Sequence, residues 1–231
     1  YRGLEGMVGL LIGGVEVKIT PEGRLAVASG GKVRTFVPQG ELSEGRFIST
    51  TGADHLAFSM ANGRAYAFQT PLGEQSFERS GFWKRPTTLA LLALLSGAAA
   101  ITTIAGLFLR NRREFRETSV QRQASLIQTS QAVLWLAALT LFGLWAAGTS
   151  DVANVMYGWP SAALIIASAC VLVAAVLALL SLIMLPAIWR GGRRVDSWSA
   201  LRKASFTFTV LVYTAFSVLL GLWGALTPWN G

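Results

Sequence analysis

Two short stretches and one isolated side chain in this sequence have the residue types for covalent or acid–base chemistry. Ser29-Gly30-Gly31-Lys32 has the Ser-x-x-Lys spacing, in which a lysine lowers the barrier to deprotonating a serine one helical turn away. That geometry needs a helix, and two consecutive glycines between alternating stretches read instead as a turn between strands. His55 is the only histidine and follows Asp54, a pair that could orient an imidazole as a general base. No motif places a serine or cysteine to surrender its proton to that ring, and a histidine on the polar face of a strand is solvated. Cys170 is the only cysteine and lies in a long apolar run, where it reads as a small apolar side chain. One histidine and one cysteine fall short of the three or four nitrogen and sulfur ligands of a zinc site. No disulfide, metal or cofactor is expected, and no residue is assigned a catalytic, cofactor-binding or metal-ligating role.

The elements around these residues change character near residue 83. Four uncharged apolar runs fill the later part of the chain: Leu89 to Leu109, Leu126 to Gly148, Pro160 to Ile188 and Ala204 to Leu226. Each is as long as the ~20 residues that carry a helix across a hydrocarbon core about 30 Å thick. A helix satisfies its own backbone hydrogen bonds in lipid, so these runs are expected to span. The resulting four-helix transmembrane domain covers 83–231, with spans about 87–109, 126–148, 160–188 and 204–227, and its first partner is the lipid bilayer.

Loop charge predicts the orientation. Arg110, Arg112, Arg113, Arg116 and Arg122 follow the first run; Arg190, Arg193, Arg194, Arg202 and Lys203 follow the third. The loop between the second and third runs, TSDVANVMYGW, holds Asp151 and no base. Short basic loops stay on the cytoplasmic side, which puts both chain ends outside it. Lys84 and Arg85 are a minor contrary signal. Trp83, Trp145, Trp159, Trp223 and Trp229 are expected at the outer border and Trp189 and Trp198 at the inner one, with only Trp135 in mid-span.

The net charge of +8 follows the same topology. Residues 1–85 carry ten basic and eight acidic side chains, a net of +2, and the remaining +6 lies in the membrane half. Contact with anionic headgroups is expected from that distribution and a nucleic-acid partner is not. The spans hold no Asp, Glu, Lys, Arg or His, so proton- or sodium-coupled transport is also not expected. Thr102, Thr103, Thr140, Ser168, Thr207, Thr209 and Thr214 are expected to bond to a carbonyl one turn back or to another helix. Gly97, Gly106, Gly143 and Gly221 are expected as close-packing points, and Pro186 to kink the third span near its end.

Residues 1–82 read as a small antiparallel all-β module. Val15, Val17 and Ile19 alternate with polar neighbours, as do Leu56, Phe58 and Met60, which is the period of a strand with one buried face. Turns fall at Pro21-Glu22-Gly23, Gly30-Gly31 and Asn62-Gly63, the last favouring a two-residue type I′ hairpin. About six short strands are expected, near 7–12, 15–20, 24–28, 33–37, 46–50, 55–60 and, as a further candidate, 64–69; residues 71–85 form a linker. Fewer than ~90 residues without disulfide or metal make a modest core, so the sheet is expected to lean on a neighbour or on the membrane segment.

The chain opens on Tyr1 with no recognisable signal peptide, yet its β module is expected outside the cytoplasm. This leads to the expectation that the chain is the C-terminal part of a longer exported protein. Tyr1-Arg2, the Thr-Pro-Glu-Gly turn, His55-Leu56-Ala57-Phe58, Phe77-Glu78-Arg79 leading through Trp83, and Trp198-Ser199-Ala200-Leu201-Arg202-Lys203 resemble the tail of bacterial β-lactamase-related, penicillin-binding-protein-like serine hydrolases. The resemblance covers most of the chain through turn and interface residues. It implies an acyl-enzyme domain upstream as a partner within the same polypeptide. That family's Tyr-x-Asn and Lys-Thr-Gly or His-x-Gly motifs have no counterpart here. The resemblance therefore implies an anchoring and accessory role at the cell envelope. A second reading is a non-enzymatic envelope protein whose β module binds a ligand or partner. A third, a small transporter or channel, is disfavoured by the uncharged spans.

Overall fold

The computed structural model describes residues 15–29, 32–41, 44–52, 54–62, 64–69, 76–79, 81–109, 118–148, 160–190 and 198–226. The chain divides into two compact units, Tyr1–Arg85 and Pro86–Gly231. The first is all-β and the second a bundle of four helices.

In the first unit β1 (Glu16–Ile19), β2 (Leu25–Ser29), β3 (Lys32–Pro38), β4 (Arg46–Ser49), β5 (His55–Ala61), β6 (Arg64–Gln69) and β7 (Ser76–Glu78) form one seven-stranded sheet. Every strand pairs antiparallel with its chain neighbour, and the sheet curls as a half-barrel. Local chemistry closes the turns. Thr20 Oγ1 accepts from Arg24 N–H at 3.1 Å, and Gly23, at φ 75°, supplies the left-handed residue of the first turn. Ala61 pairs with Arg64, which leaves a two-residue loop with Asn62 at φ 51°. Val27, Phe36, Phe47, Leu56 and Phe68 form the core with Val15, and edge-on and stacked rings run from Phe47 through Phe58 and Phe68 to Phe77.

One expectation changes here. The linker assigned to 71–85 contains β7, held because Phe77 sits opposite Phe68 and stacks on it with centroids 4.8 Å apart. A short 3-10 turn, Phe82–Lys84, follows. The strand expected near 7–12 lies outside the described residues.

The second unit holds α1 (Pro86–Leu109), α2 (Ser119–Gly148), α3 (Ala162–Arg190) and α4 (Ala200–Leu222). All four are long and apolar enough to cross a membrane, which fits a multi-pass membrane protein. Each helix packs on its chain neighbour and α4 closes back on α1, making a ring.

The helix ends differ from the expected spans for reasons of capping. Helix α2 starts seven residues before Leu126, because Thr118 and Gln121 form a reciprocal capping box: Thr118 Oγ1 accepts from Gln121 N–H and Gln121 Oε1 from Thr118 N–H, both at 3.3 Å. Helix α4 starts at an N-cap, Ser199, and stops at Leu222 rather than 226. There Gly224 takes φ 70°, its N–H reaches Gly221 O at 3.1 Å, and Ala225 N–H reaches Leu220 O at 2.9 Å, the paired bonds of a glycine-terminated helix. Helix α3 runs through Pro186 to Arg190.

Packing in the ring rests on alanine more than on the expected glycines. A Cβ on Gly97 would meet Leu139 of α2 at 3.5 Å, and one on Gly221 would meet Leu226 at 3.3 Å, but Gly106 and Gly143 face open space. Ala100, Ala124, Ala132, Ala138, Ala167, Ala174 and Ala178 are fully enclosed instead. Their single methyl lets helices approach closely at no cost in helix propensity, which is where glycine is penalised.

Candidate functional site

The residues singled out for chemistry are not assembled into a catalytic group. Ser29 and Lys32 face each other as Cα partners at the ends of β2 and β3, across a hairpin rather than along a helical turn. Asp54 is engaged by Arg34, whose guanidinium lies 2.6 Å from its carboxylate, with both side chains about half exposed. His55 is exposed on β5, opposite Ile48. Cys170 is a free, partly exposed thiol on α3. Among the described residues no three His, Cys, Asp or Glu side chains stand close enough together to hold a metal ion.

The β unit does contain a concave site that the residue types alone did not announce. A cavity of about 250 Å3 opens on the face bearing the core. Val15, Val27, Phe36, Leu56, Phe68 and Phe77 line it, and among the described residues Lys32 and Arg34 are its charged lining residues. Strand alternation explains the set: Lys32, Arg34 and Phe36 share a parity on β3, so two cations and a buried ring point to one face. The sequence signal was the run Lys-x-Arg-x-Phe. In sequence, two charges at the start of a strand are indistinguishable from a solvated edge.

Inside the membrane unit the polar side chains mostly satisfy the helices that carry them. The hydroxyls of Thr102, Thr103, Thr207 and Thr214 donate to carbonyls three or four residues back at 2.7 to 3.0 Å, as expected, whereas Ser168 Oγ, expected to do the same, is buried without a hydrogen bond among the described residues. Links between helices are longer. Gln128 Nε2 donates to Thr103 Oγ1 at 3.5 Å; Gln131 Nε2 reaches Ala174 O at 3.5 Å and its Oε1 accepts from Ser181 at 3.4 Å. Gln131 is fully buried beside Trp135, whose ring packs on Tyr213 and Phe216 at centroid distances of 5.8 and 4.9 Å. Trp135 is thus a core residue of the ring.

Three of the tryptophans assigned to membrane borders are also turned inward. Trp145, Trp198 and Trp223 are all less than a tenth exposed, whereas Trp83 and Trp189 remain about half exposed. Trp159 and Trp229 lie outside the described residues. Trp198 closes the end of the unit where α2 and α4 begin: its backbone N–H donates to Gln121 Oε1 at 3.2 Å, and the Arg202 guanidinium lies 4.2 Å above its ring. Lys203 in the first turn of α4 is 6% exposed. Gln121 therefore caps α2 and ties the loop before α4 to it with one oxygen. The Thr-x-x-Gln spacing could have revealed the cap; the bond to Trp198, 77 residues away, could not be read from it.

No family model, curated protein or solved structure matches this chain.

Proposed function

We propose that this chain is the membrane-anchoring and accessory portion of a bacterial cell-envelope serine hydrolase of the β-lactamase-related, penicillin-binding-protein-like kind, with the acyl-enzyme chemistry in a domain upstream. One structural observation supports the anchoring half of this reading. The four helices close on one another through alanine and aromatic side chains, with no line of ionisable groups through the spans that an ion or proton could follow. The hydrolase half rests on the sequence resemblance. In this reading the arginine-rich loops lie in the cytoplasm, and the β unit and the C-terminus lie outside it, at the bacterial inner membrane.

Topology is tested in a Cys170→Ala background with single cysteines introduced as Ala153→Cys and Gly192→Cys. An impermeant thiol reagent applied to spheroplasts should label the first and spare the second, and the opposite pattern overturns the orientation. Enzymology is tested with an acylating serine-hydrolase or β-lactam probe. The protein carrying the upstream domain should be labelled and the chain from Tyr1 should not. Labelling of the chain from Tyr1 would return Ser29 to consideration as a nucleophile.

A second reading, an envelope protein whose β unit binds a ligand, is favoured by the 250 Å3 cavity between the sheet's core and its two cations. The two readings are compatible.

A further inference from the structure

We infer that the cavity of the β unit is a binding site for a single-chain anionic amphiphile, with its apolar tail against Phe36, Leu56 and Phe68 and its charged head between Lys32 and Arg34. The inference rests on the reading that this unit binds a ligand, and adds the chemistry of that ligand.

Volume limits the tail. An apolar cavity of ~150 Å3 takes up benzene, so the 250 Å3 found here has room for about ten carbons and too little for two long chains. Lining sets the class. The aromatic and aliphatic walls offer nothing to an inorganic anion in the interior, while a neutral hydrocarbon would leave the positive charge at the rim unmatched.

Charge decides the sign of the head. Lys32 and Arg34 stand two residues apart on one face of β3, and Asp54 neutralises one of these charges through the 2.6 Å contact with Arg34. The rim keeps a net charge of +1. Lys32 is exposed on that rim, and Arg34 presents further N–H donors in its fork beyond the one given to Asp54. A monoanion such as a carboxylate matches this balance; a phosphate monoester head, at about −1.5 to −2, exceeds it but offers the same oxygen acceptors to Lys32 and Arg34.

The test uses the full chain in phosphatidylcholine nanodiscs and a diazirine-bearing decanoic acid as photoprobe, with labelled peptides located by mass spectrometry. Crosslinks should fall on β3, β5 and β6, and excess decanoate should displace them. Decyl phosphate in place of decanoate as competitor distinguishes the two head groups, the stronger of the two being the preferred source. Decanol should compete about tenfold less well, and Lys32→Glu should reduce labelling by about tenfold while Lys32→Arg retains it, the scale of one charge-assisted hydrogen bond. Lys32 is exposed, so neither variant threatens the fold.

If decanol displaces the probe as well as decanoate, or Lys32→Glu labels like the parent, the anionic chemistry is overturned and ligand binding stands. If neither the decanoate probe nor its decanol analogue labels the β strands, both are overturned. Thiol accessibility and acyl-probe labelling do not involve the cavity, so the anchoring proposal survives or fails separately.

Discussion

Replacing Gly45 by alanine should destabilise the β unit more than the same substitution at Gly23 or Gly52, for reasons that the three glycines separate. Gly45 has φ 63°, and a Cβ built on it would lie 2.8 Å from the carbonyl oxygen of Phe58 and 3.2 Å from its Cβ. An L-residue in the left-handed region costs about 1–2 kcal/mol. The clash adds to this because it is with backbone: the same two residues share a hydrogen bond, Phe58 N–H to Gly45 O at 2.8 Å. Opening the gap by about half an ångström pushes that bond past the usual ~3.2 Å limit and forfeits roughly 1 kcal/mol. The total is about 2–3 kcal/mol.

Gly23 provides the first control, with φ 75° and nothing within 4 Å, so its alanine variant should cost about 1 kcal/mol through conformation alone. Gly52 provides the second. It has open space and no left-handed φ, and alanine there should be neutral or stabilise slightly, by less than about 1 kcal/mol. Hydrogen exchange of the full chain in detergent, read on peptides from β4 and β5 for Gly45 and Gly52 and from β1 and β2 for Gly23, reports these differences locally. At about 1.4 kcal/mol per tenfold, Gly45→Ala should accelerate exchange about 30- to 150-fold and Gly23→Ala about fivefold. Exchange in Gly45→Ala within twofold of Gly52→Ala would refute the close strand approach on which the estimate rests.

Two further outcomes concern the membrane unit, measured by loss of helicity on titration with a denaturing detergent. Gln121→Ala removes the reciprocal cap of α2 and the acceptor for Trp198 N–H and should cost about 1–3 kcal/mol. Trp135→Ala empties the centre of the ring beside Tyr213 and Phe216 and should cost about 3–5 kcal/mol. Gln131→Leu gives up only bonds of 3.4 to 3.5 Å and should stay within about 1 kcal/mol of the parent. A larger loss for Gln131→Leu than for Trp135→Ala would reverse the ranking of packing over polar links.

The six strands from Glu16 to Gln69 were readable because their determinants are local: a two-residue period in the apolar side chains, and turn residues at Gly23 and Asn62 that tolerate positive φ. Strand β7 was not, since three residues in a polar stretch carry no period, and it is the stack of Phe77 on Phe68 that holds it. The four spans were readable because lipid requires a long uncharged helix whatever its neighbours are. Their inward faces were not. When nearly every position is apolar, hydropathy does not distinguish the side that meets protein from the side that meets lipid, and small side chains decide it by allowing close approach. Hence alanines took the place expected for Gly106 and Gly143, and Trp145, Trp198 and Trp223 turned inward.

The candidate site divides in the same way. Spacing put Ser29 and Lys32 at a turn between strands, and they pair across the β2–β3 hairpin. The cavity depended on the curl of the sheet, which brings Val15, Phe36 and Phe77, from segments far apart in the chain, around one space beside Lys32 and Arg34. Sequence alone determined what each segment is, since the chain's own backbone and the solvent around it impose those requirements. What the segments enclose was decided only in three dimensions, where side chains distant in the chain either fill the space between them or leave it open.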